Sequence, residues 1–451
     1  MRTAGLYESE PFAADVVVVN TCSVTTEADR AARAFIRRAH RMNPAARIVV
    51  IGCYAQRAPE ELTGMKGVVA IVGNSHKALA SEIILQLSGN EARMDAQNEL
   101  AGPNLVRLES LVTGGNQGQV PIWADDRFAH SFLEEAQIMP GAQTRPNLKI
   151  QEGCGNRCSF CVIPQTRGPS KSLPASAVLR QVEGFVAAGG NELVLSGINL
   201  GRWGRDLSGS EGAGRQTLAV LVREIFEKTA LNRLRLSSIE PMDWDEELVE
   251  LMAEFGGKRL AHHAHLPLQS GSDAVLRRMH RRYRPWHYVE KVEALMRACE
   301  PELTLGADVM VGFPGESDAE FEETIAMVRA LPFGYLHLFP FSPRPGTIGW
   351  ELHAERPVPA EAVVERMAAL RALAAEKSKT HRRCFVGREL EAITLHTPKD
   401  LEAQGRSAAL TENFLPVELK GRLEANRLVR VQVTGLNAAG TLEAEANKIL
   451  S

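Results

Sequence analysis

Gln151-Glu-Gly-Cys-Gly-Asn-Arg-Cys-Ser-Phe-Cys-Val-Ile-Pro-Gln-Thr-Arg-Gly-Pro169 is the stretch from which the rest of the chain is read. Three of the 7 cysteines, Cys154, Cys158 and Cys161, stand in it at Cys-x3-Cys-x2-Cys spacing, with no fourth cysteine nearby. In a chain of this length and cysteine content that spacing arises by chance in roughly two sequences per thousand. Three thiolates hold three irons of a 4Fe–4S cluster and leave the fourth iron open to chelate a substrate or cofactor. The competing readings are a zinc site and a redox pair. Structural zinc takes four protein ligands, yet Gly155, Asn156, Ser159 and Phe160 supply none and no histidine follows at finger spacing. Spacing and ligand count favour the open cluster.

Outward from this stretch, strand and helix patterns alternate from Leu148 to about Leu352. The apolar runs predict strands at Leu148–Gln151, Leu193–Ser196, Arg233–Ser238, Ala264–Leu268, Thr304–Val311 and Tyr335–Pro340. Helical periodicity fills the gaps at Ala175–Ala188, Thr217–Lys228, Asp245–Phe255, Trp286–Cys299 and Asp318–Ala330. Six βα units argue for a parallel barrel short of the usual eight, over 146–355, with its chemistry at the strand carboxyl ends where the Cys154 loop falls.

Residues 1–90 read as a small open parallel α/β unit. Val16–Val19, Ile48–Ile51 and Val68–Val72 are the continuous apolar runs that buried parallel strands require. Thr26-x-x-Asp29 is a capping-box pattern that opens a helix. Along this helix Ala28, Ala32, Phe35 and Ala39 share one face, and Arg30, Arg33, Arg37 and Arg41 the opposite one. Cys22 follows the first strand and Cys53 the second, so both fall at the carboxyl edge where open α/β sheets bind ligands. They read as a shared metal site, against two buried or incidental thiols. Residues 91–145 read as a connector with weak strand candidates at Leu105–Leu111 and Val120–Trp123. A helical linker at 356–385 leads to a small β segment at 386–447, where Val429, Val431 and Val433 alternate with Arg430, Gln432 and Thr434.

Length sets two or three domains as the expectation, and 44% hydrophobic with 24% charged residues is ordinary globular composition. No apolar run reaches membrane-span length and no signal segment is present, so the expected compartment is the cytoplasm. There, cysteines read as metal ligands rather than disulfides. A formal net charge of −3 leaves nucleic-acid contact to local patches. The two candidates are the arginine stripe and Arg277-Arg-Met-His-Arg-Arg-Tyr-Arg284, each weighed against a merely solvated surface.

The cysteine triplet resembles the radical S-adenosylmethionine (SAM) superfamily. The wider chain is similar to its methylthiotransferase family, through Ser196-Gly-Ile-Asn-Leu-Gly201, His265-Leu-Pro-Leu-Gln-Ser-Gly-Ser-Asp273, Ala307-Asp-Val-Met-Val-Gly-Phe-Pro-Gly-Glu316 and Phe341-Ser-Pro-Arg-Pro-Gly-Thr347. Asn20-Thr-Cys-Ser-Val-Thr25 and Gly52-Cys-Tyr-Ala-Gln56 look most like its MtaB branch. The resemblance implies an N-terminal cluster domain, a partial (β/α)6 barrel and a small all-β barrel of TRAM type. It implies SAM and two 4Fe–4S clusters as cofactors, one at Cys154, Cys158 and Cys161 and one at Cys22 and Cys53. It also implies tRNA as the partner, with sulfur and electron donors unidentified. The implied reaction is methylthiolation of carbon 2 of threonylcarbamoyladenosine beside the anticodon. Sister branches act on isopentenyl-adenosine in tRNA or on a ribosomal-protein aspartate.

The family carries a third N-terminal cluster cysteine on an earlier loop, whereas Met1–Glu8 reads as the tail of a first helix and no cysteine precedes Cys22. The expectation is therefore an internal start within a longer frame or a degenerate member with an incomplete second cluster. A non-catalytic tRNA-binding remnant is the alternative of another class. Gly189-Gly190-Asn-Glu192 resembles the family's Gly-Gly-Glu segment, which meets the SAM amino group; the other reading is a glycine helix C-cap. Ser238, Glu240, Gln269 and Asp308 lie at or near strand ends, each a cofactor contact or a satisfied structural polar group.

Overall fold

The computed structural model describes residues 7–10, 13–87, 120–128, 133, 138, 143–207, 216–299 and 302–450. The strand expected at Leu105–Leu111 lies outside them. The chain divides into two compact units. The first comprises Met1–Phe132, Gly153–Pro169 and Ser342–Thr347, and the second the remainder.

In the first unit β1 (Val16–Thr21), β2 (Arg47–Gly52), β3 (Val68–Gly73) and β4 (Ile122–Trp123) form one parallel sheet in chain order. Successive side chains point to opposite faces, so these apolar runs feed two cores. Ile48, Val50 and Ile71 pack with Ile36 and Leu62 on one side; Val49, Ile51, Ala70 and Val72 pack with Ile83 and Ile84 on the other. The helix Thr26–Met42 is capped by Thr25, whose Oγ1 accepts from Ala28 N at 3.1 Å; the box expected from Thr26 to Asp29 does not form. Its inner face is Ala32, Ile36 and Ala39, and Phe35, grouped by period with Ala32 and Ala39, is 51% exposed.

The cysteine loop Gly153–Pro169 groups with this unit and not with the rest of the expected barrel span. Its neck is closed by Cys154 N donating to Gly168 O at 3.2 Å. Gly153 and Gly168 turn there with φ of 70° and 72°, and a Cβ on Gly153 would stand 2.0 Å from Pro169 O. The helix Ile163–Arg167 is held by Asn74 Nδ2, which donates to Thr166 O at 2.8 Å.

The second unit contains the six expected parallel strands, in two sheets. β5 (Asn147–Glu152), β7 (Glu192–Gly197) and β8 (Arg233–Leu236) run parallel, with β6 (Lys171–Ser172) antiparallel on the edge. β9 (His263–His265), β10 (Thr304–Val311) and β11 (Phe333–Pro340) form the other parallel set, and a bridge from Leu234 to Leu260 lies between the two. This is the partial (β/α)6 barrel. Thr217, Asp245 and Ser317 cap its helices Leu218–Lys228, Glu246–Phe255 and Asp318–Ala330, the last with a full capping box to Glu320. β9 ends earlier than its apolar run suggests. Pro267 has no N–H for the ladder, and Gln269 takes φ 62° with both Leu268 N and Gln269 N donating to Asp308 O.

A helix, Ala360–Arg383, leads to β12 (Glu389–Thr394), β13 (Arg406–Thr411), β14 (Pro416–Lys420), β15 (Leu428–Leu436) and β16 (Leu442–Ile449), which close into a barrel around Leu390, Val417, Leu419, Val429, Val431 and Val433. Its turn at Thr411–Phe414 caps the amino-terminal end of the parallel strands. There Phe414, at φ 68°, packs on His263 and Tyr335 at ring separations of 4.4 and 5.4 Å, with the Arg235 guanidinium 5.2 Å from its ring centre.

Candidate active site

Five cysteines belong to the first unit: Cys22, Cys53, Cys154, Cys158 and Cys161. Thr21 and Gly52 are register partners, so Cys22 and Cys53 leave adjacent strand ends. Gly52, at φ 105°, is needed between them, because a Cβ there would stand 2.5 Å from Thr21 O. N–H groups point at three of the sulfurs. Val24 N lies 3.5 Å from Cys22 Sγ and Asn156 N 3.4 Å from Cys154 Sγ. Cys53, 2% exposed, receives Asn74 Nδ2 at 3.3 Å and Arg167 Nε at 3.1 Å. Cys154, Cys158 and Cys161 are half-buried and Cys22 is exposed. Sulfur donors with N–H groups turned toward them suit iron–sulfur ligation. Cys299 and Cys384 lie in the second unit, and burial pushes the Cys299 thiol up to about 12, which makes it inert.

Beside Cys22 is an ionic cluster that the sequence reading missed. Arg344 Nη2 reaches Asp29 Oδ2 at 2.5 Å and Ser23 Oγ at 2.8 Å, while its Nη1 reaches Thr26 Oγ1 at 3.2 Å. Arg57 joins with Nη2 2.8 Å from Asp29 Oδ2 and Nε 2.8 Å from Ser23 Oγ. The available signals were Asp29 on the inward helical face and an arginine between two prolines in Phe341–Thr347.

On the inner face of the second unit's barrel, Asp308 on β10 stands between two histidines. His265 Nε2 is 3.4 Å and His337 Nδ1 3.3 Å from Asp308 Oδ1. Burial would raise the Asp308 carboxyl, but the two histidines outweigh it and hold it well below the usual range. Its hydrogen bond in turn raises His337. Gln269, strained at positive φ and buried, leaves Oε1 without a hydrogen-bond partner among the described residues.

Five other expected contact residues are placed as follows. Gly189, at φ 85°, and Gly190 send their N–H groups back to Val186 O and Phe185 O, which is a helix C-cap at the amino end of β7. The Gly189 carbonyl accepts from Asn426 Nδ2 at 2.9 Å, so the Gly-Gly segment faces the terminal β-barrel. Glu192 is fully buried and compensated by Arg235, Arg233 and Arg145, which overcome the burial penalty and hold its carboxyl low. Glu240 accepts from Arg281 Nη2 at 2.5 Å. Ser238 is half-buried in the segment after β8, which ends at Leu236, two residues earlier than expected.

The arginine stripe is not uniform. Arg33 is half-buried and donates to Tyr54 Oη at 2.5 Å, with Glu61 at 3.4 Å. Arg30 pairs with Glu27 at 2.9 Å, and Arg37 and Arg41 are exposed.

The "Radical SAM superfamily" model matches residues 148–328, and that of "Uncharacterized protein family UPF0004" matches residues 2–73. A threonylcarbamoyladenosine tRNA methylthiotransferase MtaB of Bacillus subtilis is 33% identical over 95% of this chain and 87% of its own length. The MtaB of Aquifex aeolicus is 33% identical over 93% and 91%. The chain belongs to the radical SAM methylthiotransferase family. It is a transferase, and the family's cofactors are SAM and 4Fe–4S clusters. A tRNA-2-methylthio-N(6)-dimethylallyladenosine synthase of Parafrankia is also 33% identical, over 97% of this chain and 81% of its own. The radical SAM methyltransferase TsrM of Kitasatospora setae shares the fold, with a TM-score of 0.53 at 19% identity over 76% of this chain and 68% of its own.

Proposed function

We propose that this transferase methylthiolates carbon 2 of N(6)-threonylcarbamoyladenosine in tRNA. The observation that carries the choice of substrate is the group formed by His265, Asp308 and His337. A threonylcarbamoyl substituent presents a carboxylate, a hydroxyl and urea N–H groups, whereas an isopentenyl chain presents only hydrocarbon. A charged carboxylate between two imidazoles on the barrel's inner face suits the first. Against the second it would be desolvated with nothing in return. The likeness to MtaB-named relatives such as those of Bacillus subtilis and Aquifex aeolicus supports the same reading.

In this reading Cys154, Cys158 and Cys161 hold the cluster that binds SAM, and Cys22 and Cys53 ligate the second. Cluster and SAM together supply a 5′-deoxyadenosyl radical able to take hydrogen from an unactivated C–H bond. Gln269 and Asp308 line the barrel toward cofactor and substrate, and Arg30, Arg37 and Arg41 offer exposed charge to tRNA phosphates. The place of action is the cytoplasm; no described helix is long and apolar enough to cross a membrane.

The nucleoside profile of tRNA from a deletion strain tests the substrate. Loss of 2-methylthio-threonylcarbamoyladenosine alone is expected. Loss of the methylthio-isopentenyl nucleoside instead would move the chain to the sister activity, as named for the Parafrankia relative.

A further inference from the structure

Cys53 Sγ is the point where the N-terminal sheet and the loop of the other three cysteines meet within one unit. Asn74, just past β3, donates Nδ2–H to it at 3.3 Å. Arg167 ends the helix that follows Cys161 and donates Nε–H at 3.1 Å. The same Asn74 amide holds Thr166 O at 2.8 Å, so the residue before Arg167 is fixed against this thiol. With Cys53 2% exposed, water screens the guanidinium charge poorly. Donors and positive charge at a ligating sulfur draw electron density from it and ease reduction of the iron it holds.

We propose that Arg167 is a positioning residue for the cluster that Cys53 ligates, an inference that rests on that ligand assignment. It fixes the Cys53 sulfur and raises the cluster's reduction potential. Being carried by the Gly153–Pro169 loop, it also links that potential to the loop's conformation. Asn74 supplies the hydrogen bond without the charge, and Arg167 supplies both.

The test is a reductive titration of the full chain, reconstituted anaerobically and followed by electron paramagnetic resonance. Addition of SAM marks the signal of the loop cluster, and Cys53→Ala marks the other. Arg167→Gln is expected to shift the midpoint of the Cys53-dependent signal to more negative potential. Iron per chain and the SAM-responsive signal should stay as in the unaltered protein. Arg167→Lys, which keeps the charge but not the Nε geometry, should shift it less. An unshifted midpoint in Arg167→Gln overturns the proposal. Should that variant fail to retain iron, Arg167→Met, which likewise removes the charge, decides, and an unshifted midpoint there overturns the proposal equally. If Cys53→Ala leaves iron content and both signals intact, the ligand assignment fails, a result separable from the others.

Discussion

Arg344 and Asp29 are 315 residues apart in the chain and stand 2.5 Å apart in the fold, Nη2 to Oδ2, with Arg344 2% exposed. The pair fastens the segment Ser342–Thr347 to the turn that carries Cys22. Removing one partner of a buried pair strands the other's charge, although Asp29 keeps Arg57 and Ser23 Oγ. Arg344→Met is therefore expected to cost about 2–3 kcal/mol, the worth of hydrogen bonds to a charged group. Chemical denaturation read by a probe in the first unit checks this; a loss well under 1 kcal/mol would make the pairing incidental.

Cys154, Cys158 and Cys161 alone should support SAM cleavage. Replacing any one with Ala should abolish 5′-deoxyadenosine formation, while Cys299→Ala and Cys384→Ala retain it. Deoxyadenosine production by the Cys158→Ala protein would refute the cluster assignment.

His337→Leu and Asp308→Asn should each lower kcat/KM on tRNA bearing threonylcarbamoyladenosine by about 10- to 100-fold. A polar group left unpaired once substrate covers it costs about 1–3 kcal/mol, and 1.4 kcal/mol is tenfold. Binding of unmodified tRNA should be unaffected. Equal losses on both tRNAs would show a purely structural trio.

The arginine helix should divide by function. Arg37→Ala with Arg41→Ala should weaken tRNA binding and reduce the slope of log K against log salt by up to about 0.9 for each phosphate left without its arginine. Arg33→Ala should instead destabilise the first unit, because Tyr54 and Glu61 lose their shared donor. Filter binding at several salt concentrations, beside thermal melts, separates the two effects.

His262 joins the terminal barrel to the parallel strands, its Nδ1 3.3 Å from both Glu302 Oε2 and Glu412 Oε1. Burial would lower this imidazole, but the two glutamates outweigh it and raise it above the ordinary 6.5. A raised folded value means the ion pairs stabilise fully below pH 6.5 and that this contribution is lost as pH rises through the folded value. The stability difference between the unaltered chain and His262→Gln should thus be largest near about pH 6 and shrink toward alkaline pH. Neighbouring His263, which burial and Arg235 hold neutral, contributes alike to both proteins in that window. A difference that grows with pH would contradict the sign.

Local patterns carried most of the architecture. Thr304–Val311 and Asp318–Ala330 coincide with the elements expected from period, because a largely apolar strand and a helix opened by a full capping box leave little for tertiary context to change. The cysteines were legible because their chemistry lies in spacing. Of the two readings offered for Gly189–Glu192, the helix C-cap is the one whose hydrogen bonds are present, Gly189 N to Val186 O and Gly190 N to Phe185 O. The His265–Asp308–His337 group was out of reach. It draws residues from distant elements, and a lone histidine in sequence carries no sign of what it will face.

The Thr411–Phe414 turn bears on how this protein could be recombined with its relatives. The turn is made by the terminal barrel, yet it is completed by Arg235 and His263 of the parallel strands and by His262 and Glu302 just before them. A chimera joined in the long helix Ala360–Arg383 would therefore graft a foreign stopper onto the strand ends and leave their arginines facing an unmatched ring. A productive exchange of terminal domains has to carry those four positions along with it.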